Sequence, residues 1–258
     1  MKFVTLLLSA LLQSGAGWAA SAVLIPTLYV GSGAFDSRWN TVVVLNNLSA
    51  TAFTNSGVRF VVMCTPDNSC ESDAVPPGAF ASIATPRPAN GLLLYLPSDD
   101  AAITFTARIA AAPRNADTEG TELPIARESS FTRRPIQFPY VPYRPLRNPF
   151  RTTLRIYALD ATSESVVRIE LRSWTNPAGL PLAAKSLPLQ LVAGDQLPGL
   201  FPAYVQVNLQ DQFPGIADSL CNVVVTPVSV GTSSIPRIWA FITTTDNISQ
   251  EVTVQTPQ

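Results

Sequence analysis

Short apolar runs, punctuated by proline, glycine, asparagine and aspartate, recur along this chain. Residues 39–45, 58–63, 92–96, 103–109, 153–159, 166–174, 204–209, 223–230 and 238–244 are rich in Val, Ile, Thr, Phe and Tyr. Such runs suit a pleated, half-buried backbone. Alternation is cleanest at 166–172, where Val167, Ile169 and Leu171 fall on one face and Arg168 and Glu170 on the other. It recurs at 251–255. The 23 prolines are scattered, and proline breaks a helix interior. Past the first residues, no segment longer than about fifteen residues therefore reads as a helix. The pattern predicts an all-β fold.

The exception is the start. Met1 and Lys2 precede an apolar run at 3–12 and then small residues, with A-x-A-like sites ending at Ala19 and Ala22. This is the arrangement of a cleaved signal peptide, expected over 1–22. The run is too short to span a bilayer, which takes about twenty residues, and no later stretch reaches that length. The mature chain is expected to carry no transmembrane span and to be secreted or periplasmic.

The remaining 23–258 divide on an internal echo. A strand at 38–44 leads to Leu48-Ser49-Ala50-Thr51 and a further strand from Val58. A strand at 150–156 leads to Leu159-Asp160-Ala161-Thr162 and a further strand from Val166. The offset between the two turns is 111 positions, about one sandwich domain. Two tandem antiparallel β-sandwich domains, immunoglobulin-like in architecture, are expected at 23–126 and 127–258. Between them 133–145 is dense in arginine and proline. It reads as a stiff, polyproline-like linker leading into the second domain.

Three segments carry a resemblance. They are 25–29 with 37–47 (Ser-Arg-Trp-Asn-Thr-Val-Val-Val-Leu-Asn-Asn), 118–124 (Thr-Glu-Gly-Thr-Glu-Leu-Pro), and the closing stretch 238–257. Together they resemble exported bacterial proteins built of tandem Ig-like sandwiches and having no assigned function. The resemblance covers most of the mature chain and implies the fold. It carries over no functional residue.

Composition narrows the chemistry. The chain has no histidine, so Ser-His-Asp and Cys-His catalysis lack their general base, and imidazole metal sites lack their ligand. No cofactor is expected. Of three cysteines, Cys64 and Cys70 flank a short loop and are expected to pair in an oxidising compartment, worth about 2 kcal/mol. Cys221 opens an apolar run and reads as a buried thiol.

Carboxylate pairs are the remaining catalytic option. A glycosidase needs two acids roughly 5–9.5 Å apart, and the candidates are Asp99 with Asp100, and Asp117, Glu119 and Glu122. Their context reads as solvated turns. Asp67, Asn68, Glu71 and Asp73 offer calcium-type oxygens without EF-hand spacing. Trp39, Trp174 and Trp239 sit at or in strands and read as core. Tyr140 and Tyr143 in the Pro-rich segment are expected at a partner surface, with Arg133, Arg134, Arg144 and Arg147.

Charge is uneven. Residues 127–172 carry nine arginines and four acids, and 36–122 carry nine acids and five arginines. Two readings follow: the arginines pair with acids of the other half and set the angle between halves, or they steer an anionic partner. The expectation is a non-catalytic envelope or extracellular binding or spacer module, not an enzyme. Its partner would be an anionic envelope glycan or another surface protein, not nucleic acid. The rivals are a carbohydrate-binding accessory module, needing coplanar exposed aromatics, and a carboxylate-dependent glycoside hydrolase, needing two convergent acids.

Overall fold

The computed structural model describes residues 21–32, 38–84, 89–96, 101–112, 120–143, 150–192, 201–217, 220–247 and 249–257. A first strand set comprises β1 (Ser21–Ile25), β2 (Val30–Ser32), β3 (Arg38–Asn47), β4 (Phe53–Thr54), β5 (Arg59–Thr65) and β6 (Asn68–Ser72). It continues with β7 (Ala74–Val75), β8 (Phe80–Ala84), β9 (Leu92–Leu96), β10 (Ile103–Ala112), β11 (Thr121–Leu123) and β12 (Ala126–Arg127). A 3-10 turn at Glu128–Ser130 leads to the second set. That set holds β13 (Ile136–Pro142), β14 (Phe150–Leu159), β15 (Ser165–Ser173), β16 (Ala183–Pro188) and β17 (Ala203–Asn208). The helical turn α1 (Leu209–Gln212), then β18 (Leu220–Ser229), β19 (Arg237–Asp246) and β20 (Val252–Gln255) complete it. The fold is all-β, with antiparallel sheets packed as sandwiches.

Alternation explains the second set directly. Val167, Ile169 and Leu171 of β15 are fully buried, and Arg168 on the opposite face is exposed. They meet Leu154 and Ile156 of β14, Val223 and Val225 of β18, and Ile238, Ala240 and Ile242 of β19 in one core. The sheets are β13-β18-β15-β16 and β17-β14-β19-β20.

The first set has a seven-stranded sheet built on β11-β10-β3-β8-β5-β6, with β2 added beside β3. Facing it is a small sheet of order β12-β1-β9. In β1, Ala22, Val23, Leu24 and Ile25 are all buried, as are Leu92, Leu93, Leu94 and Leu96 of β9. Successive buried apolar residues at 22–25 and 92–94 mean that both faces of this sheet are covered there, while Tyr95 of β9 reaches solvent. One cover is the seven-stranded sheet. The other is the second strand set: Tyr157, Leu159, Trp239 and Phe241 belong to the same cluster of buried residues as β1 and β9. The halves therefore meet through packed apolar surface.

Two segments read otherwise in the sequence contribute strands. β1 begins at Ser21, paired with Leu96, inside the span 1–22 assigned to the leader. The segment expected as a linker forms β13, an edge strand paired with β18. Ile136, Phe138, Val141 and Tyr143 are buried in the core, so the segment is held by its apolar positions. An edge strand tolerates proline because one row of its backbone groups has no ladder to complete. Pro139 falls where the register with β18 shifts, between Phe138 and Val141. Tyr140 in the same bulge has a φ of 54°, and its N–H donates to Asn222 Oδ1 at 3.1 Å.

Candidate functional site

The outward face of the β17-β14-β19-β20 sheet changes character along its strands. Residues directly opposite on neighbouring antiparallel strands share a face, so the register can be read row by row. The first row is Tyr204, Tyr157 and Trp239; the next is Gln206, Arg155 and Phe241. Then come Asn208, Thr153 and Thr243, and finally Arg151 beside Thr245. The aromatic end packs beneath β1 and β9. The polar end floors a cleft of about 420 Å³, whose opposite wall is Thr27, Tyr29, Trp39, Asn90, Ile109 and Leu123 of the first set.

Tyr157 anchors the join. Its ring stacks on Phe241 at 6.4 Å with planes 6° apart, and on Trp239 at 6.2 Å. Its hydroxyl donates to the Pro26 carbonyl, in the segment after β1. Burial pushes its pKa up to about 12.

Arg155 is the next residue outward on this face. Its Nε donates to Gln206 Oε1 at 3.2 Å and Nη1 to Thr243 Oγ1 at 2.8 Å, and the guanidinium lies 5.6 Å from the Phe241 ring centroid. Every one of these partners is neutral. Desolvation by the cleft walls lowers its pKa from the ordinary arginine value, Tyr157 acts in the opposite sense, and Arg151 lowers it further. Among the described residues no carboxylate pairs with Arg155 or Arg151, and none lines the cleft. The chemistry on offer is cation, hydroxyl, amide and aromatic ring, without a nucleophile and base in partnership.

Other sequence candidates are dispersed. Cys64 and Cys70 form a disulfide across the β5–β6 hairpin, with Cα atoms 5.9 Å apart. Cys221 is buried in β18, outside that bond. Arg133 is exposed, donating to the Ile235 carbonyl at 2.9 Å and pairing with Asp160 at 3.5 Å. Arg134 is exposed. Tyr143, expected at a surface, is buried, and its hydroxyl donates to the Phe213 carbonyl. Tyr140 is 62% exposed and lies beside the 44% exposed Trp174. Their rings tilt at 51° with centroids 6.4 Å apart, so this pair offers no coplanar platform. Trp39 and Trp239 are buried.

The chain matches no known family model, no curated protein and no solved structure. Function must come from the residues themselves.

Among the acids, Asp99, Asp100, Asp117 and Glu119 lie outside the described residues, as do Arg144 and Arg147. Glu122 is exposed on β11, opposite Arg108 in register. Glu71 and Asp73 turn toward Arg59 at 3.1 and 3.3 Å. No group of three His, Cys, Asp or Glu among the described residues is placed to hold a metal. Within the arginine-rich stretch, Arg133 finds Asp160 of its own strand set. Glu128, on the turn that joins the two sets, accepts from Arg237 Nη1 at 2.8 Å and from the Ala22 N–H of β1 at 3.1 Å.

Sequence reasoning passed over Arg151 and Arg155 as individuals. The signal was present: Arg151, Thr153, Arg155 and Tyr157 alternate with the core residues Leu154, Ile156 and Ala158. Period-2 alternation put the two arginines on one face. What it could not say is that a second layer covers half of that face.

Proposed function

We propose that this protein is a non-catalytic exported binding module of the envelope or extracellular space, and that the cleft between its strand sets is the binding site. The observation carrying this reading is the floor of that cleft, which holds two arginines with no carboxylate partner among the described residues, set among hydroxyl, amide and aromatic groups. A spacer needs no such surface. A glycoside hydrolase needs two carboxyls across its cleft, and the described lining carries none. An accessory carbohydrate binder remains compatible, with the cleft in place of a flat aromatic platform.

Export draws support from the leader pattern at 1–22 and from the Cys64–Cys70 disulfide, a bond that persists in oxidising compartments. Cleavage after Ala19 leaves β1 whole. Cleavage after Ala22 would remove Ser21 and Ala22, and with them two pairings to β9 and the Ala22 bond to Glu128. Of the two sites, the first is the one that keeps these contacts.

The test is affinity electrophoresis of the exported protein through gels containing neutral or acidic soluble polysaccharides, with reducing ends assayed in parallel. Retardation by at least one polysaccharide without new reducing ends is the expected result. New reducing ends would overturn the non-catalytic reading. Free migration through every gel would overturn the cleft as a polysaccharide-binding site and leave the spacer reading.

A further inference from the structure

We propose that the cleft is a site for an acidic oligosaccharide whose carboxylates are held by Arg155 and Arg151; this rests on the binding reading above and names the ligand class. The first argument is charge. Five other arginines of the described chain have found acids: Arg59 meets Glu71 and Asp73, Arg133 meets Asp160, Arg168 and Arg172 meet Glu170, and Arg237 meets Glu128 and Asp160. Arg155 sits on the cleft floor with Gln206, Thr243 and the Phe241 ring instead. Two of its nitrogens are used in orienting it, and Nη2 makes no hydrogen bond among the described residues. A desolvated cation with neutral partners is costly until an anion arrives. A fixed guanidinium fork matches a carboxylate in particular.

The second argument is spacing. Arg151 and Arg155 share a face of β14 four residues apart, about 13 Å between Cα atoms at the usual rise per residue. One small ion cannot satisfy both ends of that row. A chain carrying an acid on successive units can.

The third argument is what lies between and opposite. Thr153 separates the arginines, with Thr243 directly across from it on β19, which gives hydroxyls at the spacing of a strand pair. Trp39 and Tyr29 stand on the other wall, and Tyr29 is 36% exposed. The apolar C–H side of a sugar ring packs against an aromatic face, and its hydroxyls exchange hydrogen bonds with threonine. Inorganic phosphate would use the guanidinium and leave this wall idle.

The experiment is calorimetric titration of the exported protein with tetragalacturonate and with its methyl ester, which keeps the sugar and removes the charge. Binding of the acid, with the ester at least tenfold weaker, is expected. Arg155→Gln and Arg151→Gln should each weaken the acid at least tenfold. Arg155→Lys should restore part of that loss, since it keeps the charge without the fork. Thermal melting of each variant separates loss of ligand from loss of fold, and Arg151, at the solvent end of the row, tests the proposal even if Arg155→Gln melts early. Equal affinity for acid and ester, or folded arginine variants that bind as the wild type does, would overturn the proposal. So would inorganic phosphate binding with the same affinity as the tetramer. If tetragalacturonate fails while another polysaccharide retards the protein in gels, this inference falls and the binding reading stands.

Discussion

The Tyr157 hydroxyl, on β14 of the second strand set, donates a hydrogen bond to the Pro26 carbonyl, just after β1 in the first. The two residues are 131 positions apart, and the ring is covered by Trp239 and Phe241. One side chain thus ties the halves by both packing and polarity, directly behind the arginine row of the cleft.

That burial makes the join sensitive to alkali. The folded-state pKa of Tyr157, about 12, stands above its ordinary value of 10.0. Its contribution is fully present below pH 10 and is lost as pH rises through 12, amounting to about 2–3 kcal/mol. Tyr157→Phe should cost about 1–3 kcal/mol at neutral pH, because the Pro26 carbonyl loses its donor. The variant should also lack that part of the alkaline decline. Urea titrations at pH 8 and pH 11.5 measure both effects. An unchanged alkaline decline would assign it to Tyr95 or Tyr143, whose pKa values are also raised by burial.

Gly91 sets how closely the halves approach. Its φ is +149°, and a Cβ there would lie 2.9 Å from both Pro202 Cγ and Tyr157 Cε1. Gly91→Ala should destabilise by about 2 kcal/mol through overpacking added to backbone strain. Gly78→Ala is the comparison: it also has positive φ, at +72°, but nothing lies within 4 Å of its Cβ position. Its cost should stop at about 1 kcal/mol of strain. Equal melting temperatures for the two variants would mean that the halves do not touch at Gly91.

The charged edge of the join should govern part of the acid limb. Glu128 is held below the usual carboxylate range first by the Ala22 N–H and then by Arg237, and Asp160 first by Arg237. Depressed carboxylate pKa values contribute stability that is present above the unfolded values of 4.5 and 3.8. That stability disappears as pH falls through the folded ones. Arg237→Gln should therefore lower stability at pH 7 and flatten its decline below pH 4.5. Glu128 retains its bond from Ala22, so adding Glu128→Gln should flatten the decline further, leaving the share of Asp160 beside Arg133 and of Glu170 beside Arg172. Denaturation midpoints between pH 2.5 and 7 follow this directly.

Because the halves join through Tyr157, Trp239, Phe241 and the two-sided β1–β9 sheet, the shape should not depend on salt. Exposed ion pairs loosen as screening rises, whereas apolar packing does not. Small-angle scattering at 0.05 and 1 M salt should give one radius of gyration. Expansion at high salt would restore the charge-set angle that the arginine-rich stretch suggested.

Local pattern determined much of this protein. Alternation at 166–172 fixed the inner face of β15, because a strand with one face on the core places every second residue there, and apolar runs located β3, β14 and β19. The cysteine spacing gave the Cys64–Cys70 bond, and proline density excluded long helices. The same density misled at 133–145. Pro135, Pro139 and Pro142 suggested a solvated linker, yet Phe138, Val141 and Tyr143 occupy the core, an outcome open to proline here because the strand is a sheet edge and carries a bulge. Only tertiary structure decided that a third layer exists. Strand periodicity tells which residues share a face, but not what lies against that face. The docking of β1 and β9 over Tyr157, Trp239 and Phe241 buried one end of an outward face. The other end, with Arg151 and Arg155, became the floor of a cleft, and that division depends on contacts across about 130 residues of chain that no local pattern encodes.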